Sequence, residues 1–184
     1  MQVSARKLVF TKLTVIFAAV LLVVGFMMFT GKFEKVSASA SGPSASHTNA
    51  PGEDNCTACH SDFAVNSGTG SVSIASLPAN YLPNQQVSVT VTTAQADATI
   101  YGFQFTAIDS LGRKVGTYTL PTQSPVRMQL INGLVGGNQR QYVEHTVDGI
   151  IPMQFGFNTW TFTWKAPAQR VGKVRFYAAG NASN

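Results

Sequence analysis

The sequence predicts an all-β fold, an antiparallel β-sandwich of the immunoglobulin-like kind, preceded by an N-terminal hydrophobic helix and a loop that holds both cysteines. About eight short runs beyond residue 70 are rich in β-branched and aromatic residues. Turn-forming residues separate these runs, and no helical period follows the first 35 residues. In residues 158–166 the alternation places Trp160, Phe162 and Trp164 on one face, which predicts a core between two sheets.

The expected strands follow one another along the second part of the chain. They cover residues 71–76, 86–93, 99–108, 116–120, 126–130, 141–146, 158–166 and 173–179. Gly, Pro and Asn residues predict turns between them, among others at 110–112, 132–133, 136–138 and 166–167. The sandwich domain is therefore expected to span residues 41–184, with no internal repeat.

An export leader is expected at the N-terminus, over residues 1–40. The uncharged run LTVIFAAVLLVVGFMMF, residues 13–29, follows a basic start and precedes a stretch of small residues. It is either a cleaved signal peptide or a membrane anchor over residues 9–30, because such a run approaches the roughly 20 residues that span a bilayer. Both alternatives place the rest of the chain outside the cytoplasm, in the periplasm or at the cell surface. Residues 37–49 are expected to form a flexible tether.

The charge distribution argues against a nucleic-acid partner. The formal net charge of +5 comes mainly from the leader, because the chain past residue 40 carries eight basic and seven acidic residues. No pair of acid and base, no nucleophile with its base and no phosphate-binding loop is recognisable. The sequence therefore does not predict an enzyme.

The segment NAPGEDNCTACHSD, residues 49–62, holds the only two cysteines of the chain. Cys-x-x-Cys-His is the attachment signature of c-type haem, in which two thiols bind one porphyrin covalently and the adjacent imidazole binds the iron. Cys56 and Cys59 are thus expected to form the thioethers, and His60 is expected to be the proximal iron ligand. One covalently bound haem c is the predicted cofactor.

Three other interpretations of the cysteines stay open. A redox-active dithiol is expected in a βαβ setting, which the flanks do not offer. A zinc site could recruit Cys56, Cys59, His47 and His145, but it would leave His60 without a role. A disulfide would close so small a loop that it would stabilise little.

The second axial ligand of the iron decides between electron transfer and a haem open to small molecules. His145 lies in a predicted strand, which can hold an imidazole rigidly, and is the possible distal ligand. His47 is the weaker alternative, because it lies on the expected tether. Met128 and Met153 are the remaining candidates, of which Met128 is expected in the core.

Four segments together resemble one family: SGPSASHTNAPGEDNCTACHSD, YGFQFTAIDSLGR, YVEHT and FTWKAPAQRVGKVRFYAAGNASN. They are similar to the bacterial haem-motif relatives of the Reeler domain, the choice-of-anchor V domain proteins, over residues 42–184. The resemblance implies a Reeler-like extracytoplasmic β-sandwich with a haem-attachment loop, and no enzyme activity. It also implies a further strand beyond Asn184. Asn49 departs from the family's usual glycine, and members without the haem motif keep a histidine at the place of His145, which favours a structural role there.

These observations predict an exported c-type cytochrome-like protein that transfers single electrons to and from a redox partner protein. The competing hypothesis is a cell-surface adhesion or partner-binding sandwich, in which haem is a structural or sensing element.

Overall fold

The computed structural model describes residues 10, 12–22 and 39–184. The chain divides into two units, Met1–Val36 and Ser37–Asn184. In the first unit, residues 12–22 are helical. Among the described residues, no helix combines the length and the apolar character that crossing a membrane requires. The expected leader over residues 1–40, with its hydrophobic segment 9–30, lies largely outside the described residues.

The second unit contains two four-stranded antiparallel sheets. The first sheet has the strand order β1-β2-β7-β4 and the second the order β5-β6-β3-β8. The strands are β1 (Ser71–Ala75), β2 (Gln86–Ala94), β3 (Ile100–Ile108), β4 (Thr117–Thr119), β5 (Met128–Val135), β6 (Asn138–His145), β7 (Phe157–Lys165) and β8 (Arg175–Ser183). Two short 3-10 helices, Cys56–Ala58 and Asp148–Ile150, lie in the loops. The prediction of an all-β sandwich is confirmed at this level.

Aromatic side chains from both sheets form the core. Trp160, Phe162 and Trp164 of β7 are at most 2% exposed, as their alternation predicts. Phe103 of β3 stacks on Trp160 with ring centroids 4.4 Å apart, and Phe105 meets Phe162 edge to face at 5.0 Å. Each such side chain contributes roughly 1.5–3 kcal/mol through burial. The space between the sheets is thus filled by the chain's own aromatics.

One predicted turn is wrong. Asn132 and Gly133 lie inside β5, opposite Gln141 and Arg140 of β6. The hairpin turns instead at Gly136 and Gly137, whose φ angles of 55° and 83° suit the two-residue turn that joins twisted strands. Gly133 has another function, because a Cβ atom there would lie 2.7 Å from the Cβ of Ala45.

Residues 41–54, which we call the strap, lie across the outer face of the second sheet. Gln129 donates from Nε2 to the Ser41 carbonyl at 2.7 Å, and Gln104 donates from Nε2 to the Ser44 carbonyl at 3.0 Å. The expected flexible tether is therefore wrong for residues 41–49. The composition of this segment offers little to bury, but its backbone is held by amide side chains of the sheet.

Candidate functional site

A buried ion pair fixes the end of the strap. Arg140 of β6 donates from Nη1 to Oε1 of Glu53 at 2.5 Å, and the two side chains are 3% and 0% exposed. The Tyr142 hydroxyl donates to the same oxygen at 2.7 Å, while the Thr48 hydroxyl donates to Oε2 at 2.5 Å. Every oxygen of this buried carboxylate is thus paired, as a buried charge requires.

The Cys-x-x-Cys-His motif follows directly as a single helical turn. Asn55 caps it, because its Oδ1 accepts from the backbone N–H of Thr57 at 2.9 Å. The His60 N–H donates to the Cys56 carbonyl at 2.9 Å, which closes the turn. Residues three and four positions apart on a helical turn lie on one side. Cys59 and His60 have these spacings from Cys56.

Both cysteines are free and half-buried. Burial raises the pKa of the Cys56 thiol to about 11, partly offset by a backbone hydrogen bond, and proximity to Cys59 raises it further. Reactive dithiols have the opposite property, a thiol pKa lowered toward or below neutrality. The structure thus gives no support to the redox-active dithiol.

One cavity of about 710 Å³ brings the candidate residues together. This volume falls within the roughly 300–1,000 Å³ that is usual for cofactor and small-molecule sites. The five candidate ligands all line it: His47, Cys56, Cys59, His60 and His145. They come from three elements: the strap, the helical turn after it and the end of β6. These three elements meet around one cavity.

His145 lies where the ladder between β3 and β6 ends. Its Nδ1 lies 3.0 Å from the Phe103 nitrogen and 3.1 Å from the Phe103 oxygen, so it can accept from the one or donate to the other. Gly102 leaves room for the ring, because a Cβ atom there would lie 2.7 Å from Cε1 of His145. Burial lowers the pKa of His145, although hydrogen bonds with the backbone of Phe103 and Ser39 oppose this shift. A neutral imidazole results, which is the form that binds metals.

His47 is held more firmly than the sequence indicated. Its Nδ1 lies 2.9 Å from the Ser44 carbonyl, and its backbone N–H donates to Oε1 of Gln104 at 2.7 Å. Met128 is 4% exposed and belongs to the core, as predicted, while Met153 is 82% exposed. Neither methionine lines the cavity. The cavity therefore favours the two histidines as the candidate distal ligands.

Glu144 is a site residue that the sequence did not reveal. Its carboxylate lines the cavity, is 1% exposed, and accepts from Nε2 of Gln104 at 2.9 Å and Nε2 of Gln129 at 2.8 Å. Burial raises the pKa of Glu144, and the two amides oppose that shift. Strict alternation along YGFQFTAI and QYVEHT places Gln104 and Glu144 on the outer face, which is the one signal that could have indicated them.

The zinc alternative receives no geometric support. Among the described residues, no three side chains of His, Cys, Asp or Glu come together in a way that could hold a metal ion. Cys56, Cys59, His47 and His145 line one cavity but do not form a closed tetrahedral set. The donor types that line the cavity, two thiols and three imidazoles, include those that a c-type haem uses.

No protein-family model matches the chain, and neither the curated proteins nor the solved structures include a significant match.

Proposed function

We propose that this chain is an exported haem protein that carries one haem c and transfers single electrons. One observation carries the proposal: the two thiols of the attachment motif, His60 and His145 all line a single cavity of cofactor size. In this proposal the β-sandwich of the chain is immunoglobulin-like and Reeler-like, as in the choice-of-anchor V proteins. It is directed out of the cytoplasm by its N-terminal segment, which acts as signal or membrane anchor.

In this proposal Cys56 and Cys59 attach the cofactor. Each thiol would add across one vinyl C=C bond, sulfur to one carbon and hydrogen to the other, so no oxidant would be consumed. The free state of both cysteines is the state this addition needs. Covalent attachment suits this site because the cavity lies on the outer face of a sheet, where less apolar surface is available than in a core.

His60 and His145 are the proposed axial ligands. His145 is preferred as distal ligand because it is 7% exposed and its Nδ1 can donate to the Phe103 carbonyl, a tautomer in which Nε2 is unprotonated and can bind a metal. His47 is the alternative, since its Nδ1 can donate to the Ser44 carbonyl in the same way. When bound, the haem iron would accept one electron from a reduced redox protein and pass it to an oxidised one.

The rival proposal is an adhesion or partner-binding module in which haem is a structural or sensing element, and a structural haem predicts that the fold depends on the cofactor. The core of the sandwich lies between the sheets and consists of aromatic and aliphatic side chains, none of them from residues 55–62. A haem in the outer cavity would therefore add little to the core. This observation argues against a structural role of the haem and leaves the sensing form of the rival proposal to the experiments below.

The decisive experiment uses the full chain produced with a haem-maturation system. We expect a pyridine haemochrome spectrum of c type and pigment that stays with the polypeptide after acid-acetone extraction. The variant Cys56→Ser/Cys59→Ser should release its pigment in the same extraction. A colourless wild-type protein, or one that contains zinc, would overturn the proposal.

The distal ligand and the sensing alternative are tested on the same protein. His145→Ala should convert a low-spin spectrum to high-spin, with His47→Ala as the matched comparison; the reverse result would assign His47. Slow or absent binding of carbon monoxide to the ferrous wild type supports electron transfer, whereas rapid binding supports sensing.

A further inference from the structure

The His60 ring has one hydrogen-bonding partner among the described residues, the side chain of Asn181. The amide nitrogen of Asn181 lies 3.5 Å from Nδ1 of His60, at the outer limit of hydrogen-bonding distance. Asn181 belongs to β8 and lines the cavity. It is paired with Gly102 of β3, the glycine on which the His145 ring lies. A single pair of residues on the outer face thus contacts both imidazoles.

The amide can serve His60 in either orientation. Its nitrogen and oxygen exchange places by a half-turn of the side chain, and the hydrogen-bonding partner decides which orientation is adopted. An imidazole that binds a metal through Nε2 carries its proton on Nδ1 and needs an acceptor there. The Asn181 oxygen is placed to be that acceptor.

We propose that Asn181 is a positioning residue for His60, which accepts a hydrogen bond from Nδ1–H and so sets both the orientation of the imidazole and its electron donation to iron. This inference rests on the proposed haem function. A hydrogen bond at Nδ1 makes the imidazole a stronger donor, which stabilises the ferric over the ferrous state. Asn181 thereby alters the reduction potential of the iron without binding the metal.

The test measures reduction potentials of three holoprotein variants. Asn181→Leu removes the acceptor and should shift the ferric–ferrous equilibrium toward the ferrous form about tenfold, which for one electron is about 59 mV. Asn181→Asp offers a stronger acceptor and should shift the potential the other way. Asn132→Leu is the matched control, because it makes the same change at an exposed position of β5 in the same sheet and Asn132 does not line the cavity; its potential should stay unchanged.

A second measurement is independent of haem. Nitrogen-15 NMR of the apoprotein reports the tautomer of His60, which should change in Asn181→Leu and not in Asn132→Leu. If haem is attached in every variant but Asn181→Leu alters neither the potential nor the His60 nitrogen shifts, the inference is overturned while the haem function stands. If the wild-type chain holds no covalent haem, the function fails, and the positioning role fails with it.

Discussion

The buried pair of Glu53 and Arg140 is predicted to hold the strap in place and, through the strap, the helical turn that begins at Cys56. We expect Arg140→Met to destabilise the protein by roughly 3–5 kcal/mol, because removal of one partner leaves the other charge buried without compensation. Met retains much of the apolar volume of Arg, so loss of packing adds little.

The structure supports the upper part of this range. The Glu53 side chain is fully buried and would keep as partners only the hydroxyls of Tyr142 and Thr48 and the Thr48 N–H, which lies 3.2 Å from Oε2. Arg140 also donates from Nη2 to the Pro51 carbonyl at 3.1 Å and from Nε to the Gly112 carbonyl at 2.9 Å, and both bonds are lost with it. In a domain of this size the loss corresponds to a fall in melting temperature on the order of 10 °C.

Urea denaturation of the apoprotein, followed by tryptophan fluorescence, measures the effect. The matched control is Arg113→Met, because Arg113 pairs with Asp109 at 2.8 Å but is 59% exposed. Asp109 is 4% exposed, but it keeps its hydrogen bonds from the backbone N–H groups of Leu111 and Arg113, so the loss should be smaller than for Arg140→Met. The double variant Glu53→Gln/Arg140→Met should lose less than the sum of the single changes, since no lone charge remains. If Arg140→Met costs no more than Arg113→Met, the pair does not secure the strap and the reasoning is refuted.

Three other predictions follow from single contacts. Gly102→Ala should displace the His145 ring, since the added Cβ would lie 2.7 Å from it, and should lower stability by about 1–3 kcal/mol, as overpacking does; unaltered His145 NMR signals would contradict this. The apoprotein variant Cys56→Ser/Cys59→Ser should keep its stability within about 1 kcal/mol, because neither residue belongs to the core; an unfolded circular dichroism spectrum would show that the motif supports the fold. Burial raises the pKa of the Asp109 carboxyl, but hydrogen bonds from Arg113 and Leu111 outweigh it and hold that pKa below 3.8. Asp109→Asn should therefore cost stability above about pH 4 and lose its effect as the pH falls through the lowered pKa, and a pH-independent difference in urea midpoint would refute this.

The sheets of the sandwich could be predicted because their residues alternate with the period of a strand. The segment NTWTFTWKA has three aromatic residues on one face, and burial of those faces is the largest favourable term in the fold. The alternation in the sequence and the largest favourable free-energy term, the burial of apolar faces, thus favour the same structure. That Cys56 and Cys59 attach a haem stays a prediction; the structure shows that the turn holding them is formed by contacts between residues near in sequence.

The strap could not be predicted, because what holds it is distant in sequence. Glu53 and Arg140 are 87 positions apart, and Gln129 and Ser41 are 88 apart. A segment of Ser, Ala, Gly and Pro looks the same whether its carbonyls meet water or a sheet. The turn predicted at Gly133 is wrong for the same reason. A glycine next to asparagine is typical of a turn, but here the missing side chain allows the strap, which is distant in sequence, to approach β5.

The separation of core and cavity has a consequence for how the protein could change. The core between the sheets is held by aromatic burial, while the cavity lies outside it and is shaped by hydrogen bonds of the strap and by the polar outer face of β3, β6 and β8. Substitutions at Gln104, Glu144 or Asn181 can therefore alter the surroundings of a cofactor without disturbing the aromatic packing beneath. On the proposed haem function, such changes would alter the potential of the cofactor while the aromatic packing between the sheets stays intact.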